Sequence, residues 1–193
     1  MKPLTTTVGL LILGATLALS VGGCGGIIDE EAEALLYERL GQTSITVFPT
    51  FVREGQQQRY DPNAARAIGE FLTQEELATV TVSAAEVPIT SQWGMNQAKM
   101  FRRSAADFSA YVRANPPESD YALLSECLIG GRGVVVGVHL YLVDAEGAVA
   151  CAFLCNSHHK VFSDVNPKTV DDATIIVINK LRETLAPARH GSY

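Results

Sequence analysis

Residues 120–157 read DYALLSECLIGGRGVVVGVHLYLVDAEGAVACAFLCNS, and this stretch decides the fold. Three apolar, β-branched runs, Asp120 to Ile129, Val134 to Val143 and Ala148 to Ser157, are joined by Gly130-Gly131-Arg132-Gly133 and Asp144-Ala145-Glu146-Gly147. Both joints are short and carry glycine, so the runs predict two hairpins and an antiparallel meander. A glycine-rich joint could also cradle phosphate. Here strands flank it and no helix N-terminus follows, which favours the turn. In the middle run Val136, Val138, Leu140 and Leu142 fall on one face, with Val135, His139, Tyr141 and Val143 on the other. Both faces are apolar, which predicts cover on both sides.

Working outward, the preceding segments alternate strand and helix patterns. Ile45 to Phe51 reads as a first strand with Pro49 near its end. A polar loop from Arg53 to Tyr60 follows. Asp61 then caps a helix with Pro62 at its first position, and Ala64, Ala65, Ile68, Phe71 and Leu72 share one face. Ala78 to Ala84 is a second strand. Trp93-Gly94-Met95 lies in a loop, where the tryptophan is either a core plug or a recognition contact. Asn96 to Ala114 repeats Ala98, Phe101, Ala105, Phe108 and Val112 at helical spacing, and Asn115-Pro116-Pro117 stops it. After the meander, Asn166 is read as the cap of a last helix with Pro167 at its first position and an inner stripe of Val170, Ala173, Val177 and Leu181. The expected fold is α/β (α+β), a mixed sheet with order β-α-β-α-β-β-β-α and helices packed on it. A short acidic helix between Ile27 and Gly41 precedes it.

The first residues give an address. Lys2 supplies a positive start, Val8 to Val21 an apolar run, and Val21-Gly22-Gly23-Cys24 a small-residue ending at a cysteine. This is the pattern of a secretory signal peptide, and its apolar run is shorter than the roughly 20 residues of a membrane span. The ending resembles a lipobox, which implies that Cys24 is lipidated and begins the mature chain. An ordinary secreted protein cleaved nearby, with Cys24 incidental, is the alternative. The expected organisation is a leader at 1–23, the anchored cysteine and helix at 24–42, one domain at 43–186 and a frayed tail at 187–193. Gly25 rather than Asp after the cysteine, by analogy with Gram-negative lipoproteins, points to the outer membrane, facing the periplasm.

Composition narrows the function classes. The 193 residues carry a formal charge of −6, which argues against a nucleic-acid partner. Net acidity also argues against electrostatic adhesion to anionic lipid, leaving attachment to the acyl anchor. Cys127, Cys151 and Cys155 remain once Cys24 is set aside, an odd number that cannot pair completely within one chain. Cys151 and Cys155 would lie about 13 Å apart along a strand, too far for a disulfide, so buried thiols are expected. No hydrolase elbow, zinc-protease helix, P-loop or dinucleotide fingerprint occurs. His158-His159 reads as an exposed strand end whose neighbours point apart, and His139 as a hydrogen-bonded core residue. No catalytic residue, metal site or cofactor is expected.

Several of these segments are similar to one known group. Ile45-Thr46-Val47-Phe48-Pro49 resembles the opening strand of bacterial envelope proteins related to the TolB amino-terminal domain. Their superfamily includes the lipoprotein activators of penicillin-binding proteins and the curli secretion-channel lipoprotein. Asp120-Tyr121-Ala122-Leu123-Leu124 with Glu126-Cys127-Leu128-Ile129, and the Val138 to Gly147 hairpin, are similar to the same group. The resemblance spans about residues 43–186 and implies a fold and a lipoprotein setting, with no catalytic residues to carry over. The long tether of the activators is absent, as are the extra strand pairs of the curli channel.

The expectation is a non-catalytic, membrane-anchored lipoprotein of the cell envelope that acts as an interaction module in envelope assembly or secretion. A periplasmic ligand-binding or thiol-based redox protein using Cys151, Cys155 and His158 is one alternative. A hydrolase with a spatially assembled nucleophile is another. The expected contact is the last meander strand, where Cys151, Phe153, Leu154 and Cys155 lack the Lys or Pro that usually guards an edge. Unless the last helix or the 85–95 loop covers it, that edge awaits a partner strand or a second copy.

Overall fold

The computed structural model describes residues 27–189; Cys24 and the leader expected at 1–23 lie outside them. The chain runs α1 (Glu30–Arg39), β1 (Ser44–Val47), β2 (Thr50–Glu54), β3 (Gln57–Asp61), α2 (Pro62–Gln74), β4 (Thr79–Val82), α3 (Gln97–Ala114), β5 (Tyr121–Ile129), β6 (Val135–Asp144), β7 (Val149–Asn156), α4 (Lys160–Val165) and α5 (Val170–Arg189). Seven strands form one mixed sheet, which is the α+β arrangement expected.

Strand β5 is its spine. β1 and β2 both run parallel to it, β1 against Tyr121–Leu123 and β2 against Glu126–Ile129. They are two parts of one line broken at Phe48-Pro49, since proline has no N–H to give the ladder. The Phe48 N–H still reaches the Leu123 carbonyl at 2.9 Å. The single strand expected over 45–51 is therefore two, and the second continues to Glu54. The polar stretch expected as a loop from Arg53 to Tyr60 is instead largely a hairpin, β2 turning at Gly55 (φ +58) into antiparallel β3. Glutamines serve there because β3 is an exposed edge whose side chains need not be apolar. β4 pairs parallel with β1, β6 antiparallel with β5, and β7 with β6.

Helices cover both faces. One face packs under α1, α2 and α5 through Leu36, Ile68, Leu72, Ile176 and Leu181. The other packs under α3 through Phe101, Ala105, Phe108 and Val112. Ala98, expected in that stripe, is exposed on the helix flank. Asp61 caps α2 as expected, accepting from Asn63 and Ala64 N–H. The alternation of β6 holds from Val138 to Val143 and fails at its start. A β-bulge shifts the register between Leu128 and Ile129, so Val135 joins the Val138 side and Val136 leaves it.

Two corrections concern the carboxy-terminal third. β7 ends at Asn156, so His158 and His159 lie beyond the strand, in a turn leading to α4. Asn166 ends α4 in the left-handed region (φ +50) rather than starting α5. The cap of α5 is Thr169: its hydroxyl accepts from Asp172 N–H at 3.2 Å while Asp172 accepts from Thr169 N–H at 2.9 Å. This reciprocal box competes successfully with the Asn-Pro signal three residues earlier.

Candidate interaction edge and buried charge cluster

Strand β7 is the terminal strand of the meander, and among the described residues it pairs with β6 alone. Neither expected cover lies along it. α5 packs over β5 and β6. The 85–95 loop is held at the opposite side of the sheet, where Val87 O accepts from Tyr60 hydroxyl and Ser91 from Arg53 at 3.0 Å. What touches the edge is the amino-terminal segment: Asp29 N–H donates to Val149 O at 2.8 Å. Ile27 and Ile28 pack with the α3-side core, whereas Ala32 and Leu36 pack with the other. The chain thus crosses the edge at the head of β7. Farther along, Cys151 and Cys155 point into the core, and Phe153 and Leu154 remain half-buried.

All three described cysteines are unpaired and buried. Burial pushes the Cys127 and Cys151 thiols up to about 12 and Cys155 to about 11. Such groups are thiols at neutral pH and poor nucleophiles. His158 is exposed, and His159 Nδ1 lies 3.2 Å from Asn156 N, closing a local turn. Among the described residues no group of three or more His, Cys, Asp or Glu could hold a metal ion.

Sequence reasoning placed His139 as a hydrogen-bonded core residue but missed the buried charge cluster around it. Beneath α3, Arg53 of β2, Glu126 of β5 and His139 of β6 are each at most 1% exposed. His139 Nδ1 lies 2.8 Å from Glu126 Oε2, and the Tyr141 hydroxyl donates to the same oxygen at 3.3 Å. Arg53 Nε stands 3.9 Å from Glu126 Oε1, and neither atom has a hydrogen-bond partner. Arg53 also donates to Ser91, which bonds Ser104 of α3 at 3.0 Å. Burial lowers the Arg53 pKa, and the Glu126 carboxylate opposes that shift. The cluster ties β2, β5, β6, the 83–96 loop and α3 together. The signal was available in principle: Glu126 and His139 are cross-strand partners in the meander. His139 Nε2 has no hydrogen-bond partner among the described residues, and the Phe101 ring stands edge-on to the imidazole at 5.3 Å.

Trp93 is half-buried, on the rim of an open slot of about 280 Å³ at the start of α3, with Met95, Met100, Leu128 and Val136. It is not a core plug. No described helix is long and apolar enough to cross a membrane.

No family model matches the chain, and no curated protein matches it. Among solved structures, the chain is similar to a PelC dodecamer from Paraburkholderia phytofirmans, at 16% identity and a TM-score of 0.40 over 76% of this chain and 91% of that one. It is similar to the LpoB C-terminal domain from Salmonella enterica at 13% identity and a TM-score of 0.38, over 65% and 94% respectively. Lipoprotein GNA1162 from Neisseria meningitidis aligns at 20% identity and a TM-score of 0.34, over 74% and 99%. At these TM-scores the likenesses define neither a family nor an activity for this chain.

Proposed function

We propose that this chain is a non-catalytic lipoprotein of the bacterial envelope, anchored through Cys24, that binds another protein by strand addition at β7. The observation that carries the reading is the apolar strand β7, which among the described residues pairs with β6 alone; the segment that follows Cys24 crosses its head at Asp29, and α1 then packs against it. Asp29 is five residue steps from Cys24, so the head of β7 stays within about 17 Å of the anchor. Main-chain bonds along such an edge give affinity, and flanking side chains give selectivity. Placement in the group related to the TolB amino-terminal domain, and at the outer membrane, belongs to the same proposal and rests on the sequence motifs.

Charge favours a different chain over a second copy. Antiparallel pairing of two β7 edges about a two-fold axis would set α1 beside its own copy, and α1 with its cap carries Asp29, Glu30, Glu31, Glu33 and Glu38. Like charges so juxtaposed disfavour the pair. Burial of Cys127, Cys151 and Cys155, which pushes each thiol pKa up, weighs against the thiol-based redox alternative.

Two substitutions test the proposal. Cys24→Ser should release the protein from membranes or leave it uncleaved; an unchanged membrane fraction with no loss of acyl mass contradicts the anchor. Leu154→Lys should abolish partner binding while leaving the fold intact, and full binding by that variant contradicts the edge.

A further inference from the structure

Helix α3 presents to solvent a row of residues three and four apart, Lys99, Arg102, Ala106, Ala110 and Arg113, with Arg103 at its margin. The row contains no acid. Asp107, the one carboxylate of this helix, is largely covered and is taken up by Arg103 at 3.2 Å and by the Thr90 N–H and hydroxyl at 2.7 and 2.8 Å. In a chain of formal charge −6 this is a local concentration of the opposite sign. The acids of α1 lie on the other side of the sheet, Glu86 and Glu118 belong to loops, and Glu146 lies in the β6–β7 turn that packs against Arg113 at the end of the row. The row on α3 is therefore a local basic patch, which the net charge conceals.

The amino-terminal segment comes from the basic side. Ile27 and Ile28 pack among Phe48, Phe108 and their neighbours under α3, before the chain crosses β7 at Asp29. Cys24 stands three residues before Ile27, within about 11 Å of extended chain. Resting on the lipid anchor at Cys24, we infer that the exposed face of α3 lies flat on an anionic lipid surface. The anchor holds that face within reach of head groups, on the scale of the ~8 Å over which charge acts in physiological salt. Ala106 and Ala110 let the helix approach closely, while the long stems of Lys99 and Arg102 reach outward to phosphate; Arg113, at the end of the row, donates to the Gly147 carbonyl at 3.4 Å. Repulsion of α1 from the same surface turns the domain the same way. The local distribution thus replaces the expectation, drawn from net charge, that the domain has no electrostatic affinity for anionic lipid. With α3 on the lipid, the β7 edge stands at the side of the domain, open to a neighbour in the same membrane.

The test uses the full chain with its native acyl group, reconstituted on phosphatidylcholine vesicles with or without phosphatidylglycerol. Amine labelling of Lys99 is read by mass spectrometry against Lys160, which is 89% exposed and lies on α4. Phosphatidylglycerol should slow labelling of Lys99 about fivefold relative to Lys160, and molar salt or Arg102→Glu should restore it. Unchanged Lys99 labelling on anionic vesicles that carry the chain overturns the inference and leaves the anchor standing. Failure to remain on pure phosphatidylcholine refutes the anchor instead, and the Lys99 comparison on anionic vesicles still decides the α3 surface.

Discussion

The Asp29 N–H donates to the Val149 carbonyl at 2.8 Å, so the segment leading from Cys24 into the fold is pinned across the head of strand β7. That bond would couple the proposed anchor at Cys24 to the proposed interaction edge. The hairpin behind it is equally confined. Gly147 has φ +80, and a Cβ there would stand 2.7 Å from the Ser109 carbonyl oxygen of α3. Gly147→Ala should destabilise the protein by about 1–3 kcal/mol, measured by urea unfolding. A change below about 0.5 kcal/mol would mean that α3 does not press on the β6–β7 turn.

The buried charge cluster should behave as a unit. Arg53→Met leaves Glu126 buried beside His139 without its cation, and should cost about 3–5 kcal/mol. The triple variant Arg53→Met, Glu126→Leu, His139→Phe should recover most of that loss, since it removes the charges together. If the triple variant is less stable than the single one, the cluster supplies net stabilisation and this account of it is wrong.

Asp120 should set an acid limb of stability. Its carboxylate accepts from Ser44 N–H and Ser44 hydroxyl, both at 2.8 Å, and from Thr43, with Arg39 at 3.3 Å. The Ser44 backbone bond, then the Ser44 hydroxyl, hold its pKa below the usual value against the effect of burial. A depressed folded pKa contributes stability that is present above the unfolded value, about 3.9, and is lost as pH falls through the folded one. Asp120→Asn should therefore cost about 1–3 kcal/mol at pH 7, with the difference from the native protein shrinking in acid. An Asp120→Asn deficit that persists unchanged at pH 2 would contradict it.

Cys127, Cys151 and Cys155 should all resist iodoacetamide in the native state and react together on unfolding, as thiols raised to about 12, 12 and 11 by burial require. One fast, acidic thiol would revive the redox reading.

The meander was legible because Gly-bearing joints and strict alternation fix hairpins locally, and Asp61-Pro62 marks α2 for the same reason. Three features were not, each because tertiary contacts override a local signal. Pro49 reads as a strand end, yet β5 is long enough to pair on both sides of the break. Asn166-Pro167 reads as a helix start, but the Thr169–Asp172 box forms the true cap. Arg53 reads as a loop residue and is buried, because its partner Glu126 lies 73 positions away across the β2–β5 pair. The terminal position of β7 followed from its place at the end of the meander. The cluster beneath α3 depends on parallel pairing, which carries no local signature.

The central claim is that β7 receives another protein's strand. A photo-cross-linking residue at Leu154 of the full chain, compared in intact cells with one at Gln58 on the opposite edge strand β3, tests it most directly. The account predicts one discrete heterologous adduct from Leu154 and none from Gln58. No adduct from Leu154, with the amides of 149–156 strongly protected from exchange in the purified protein, would show that the edge is already filled and would contradict it.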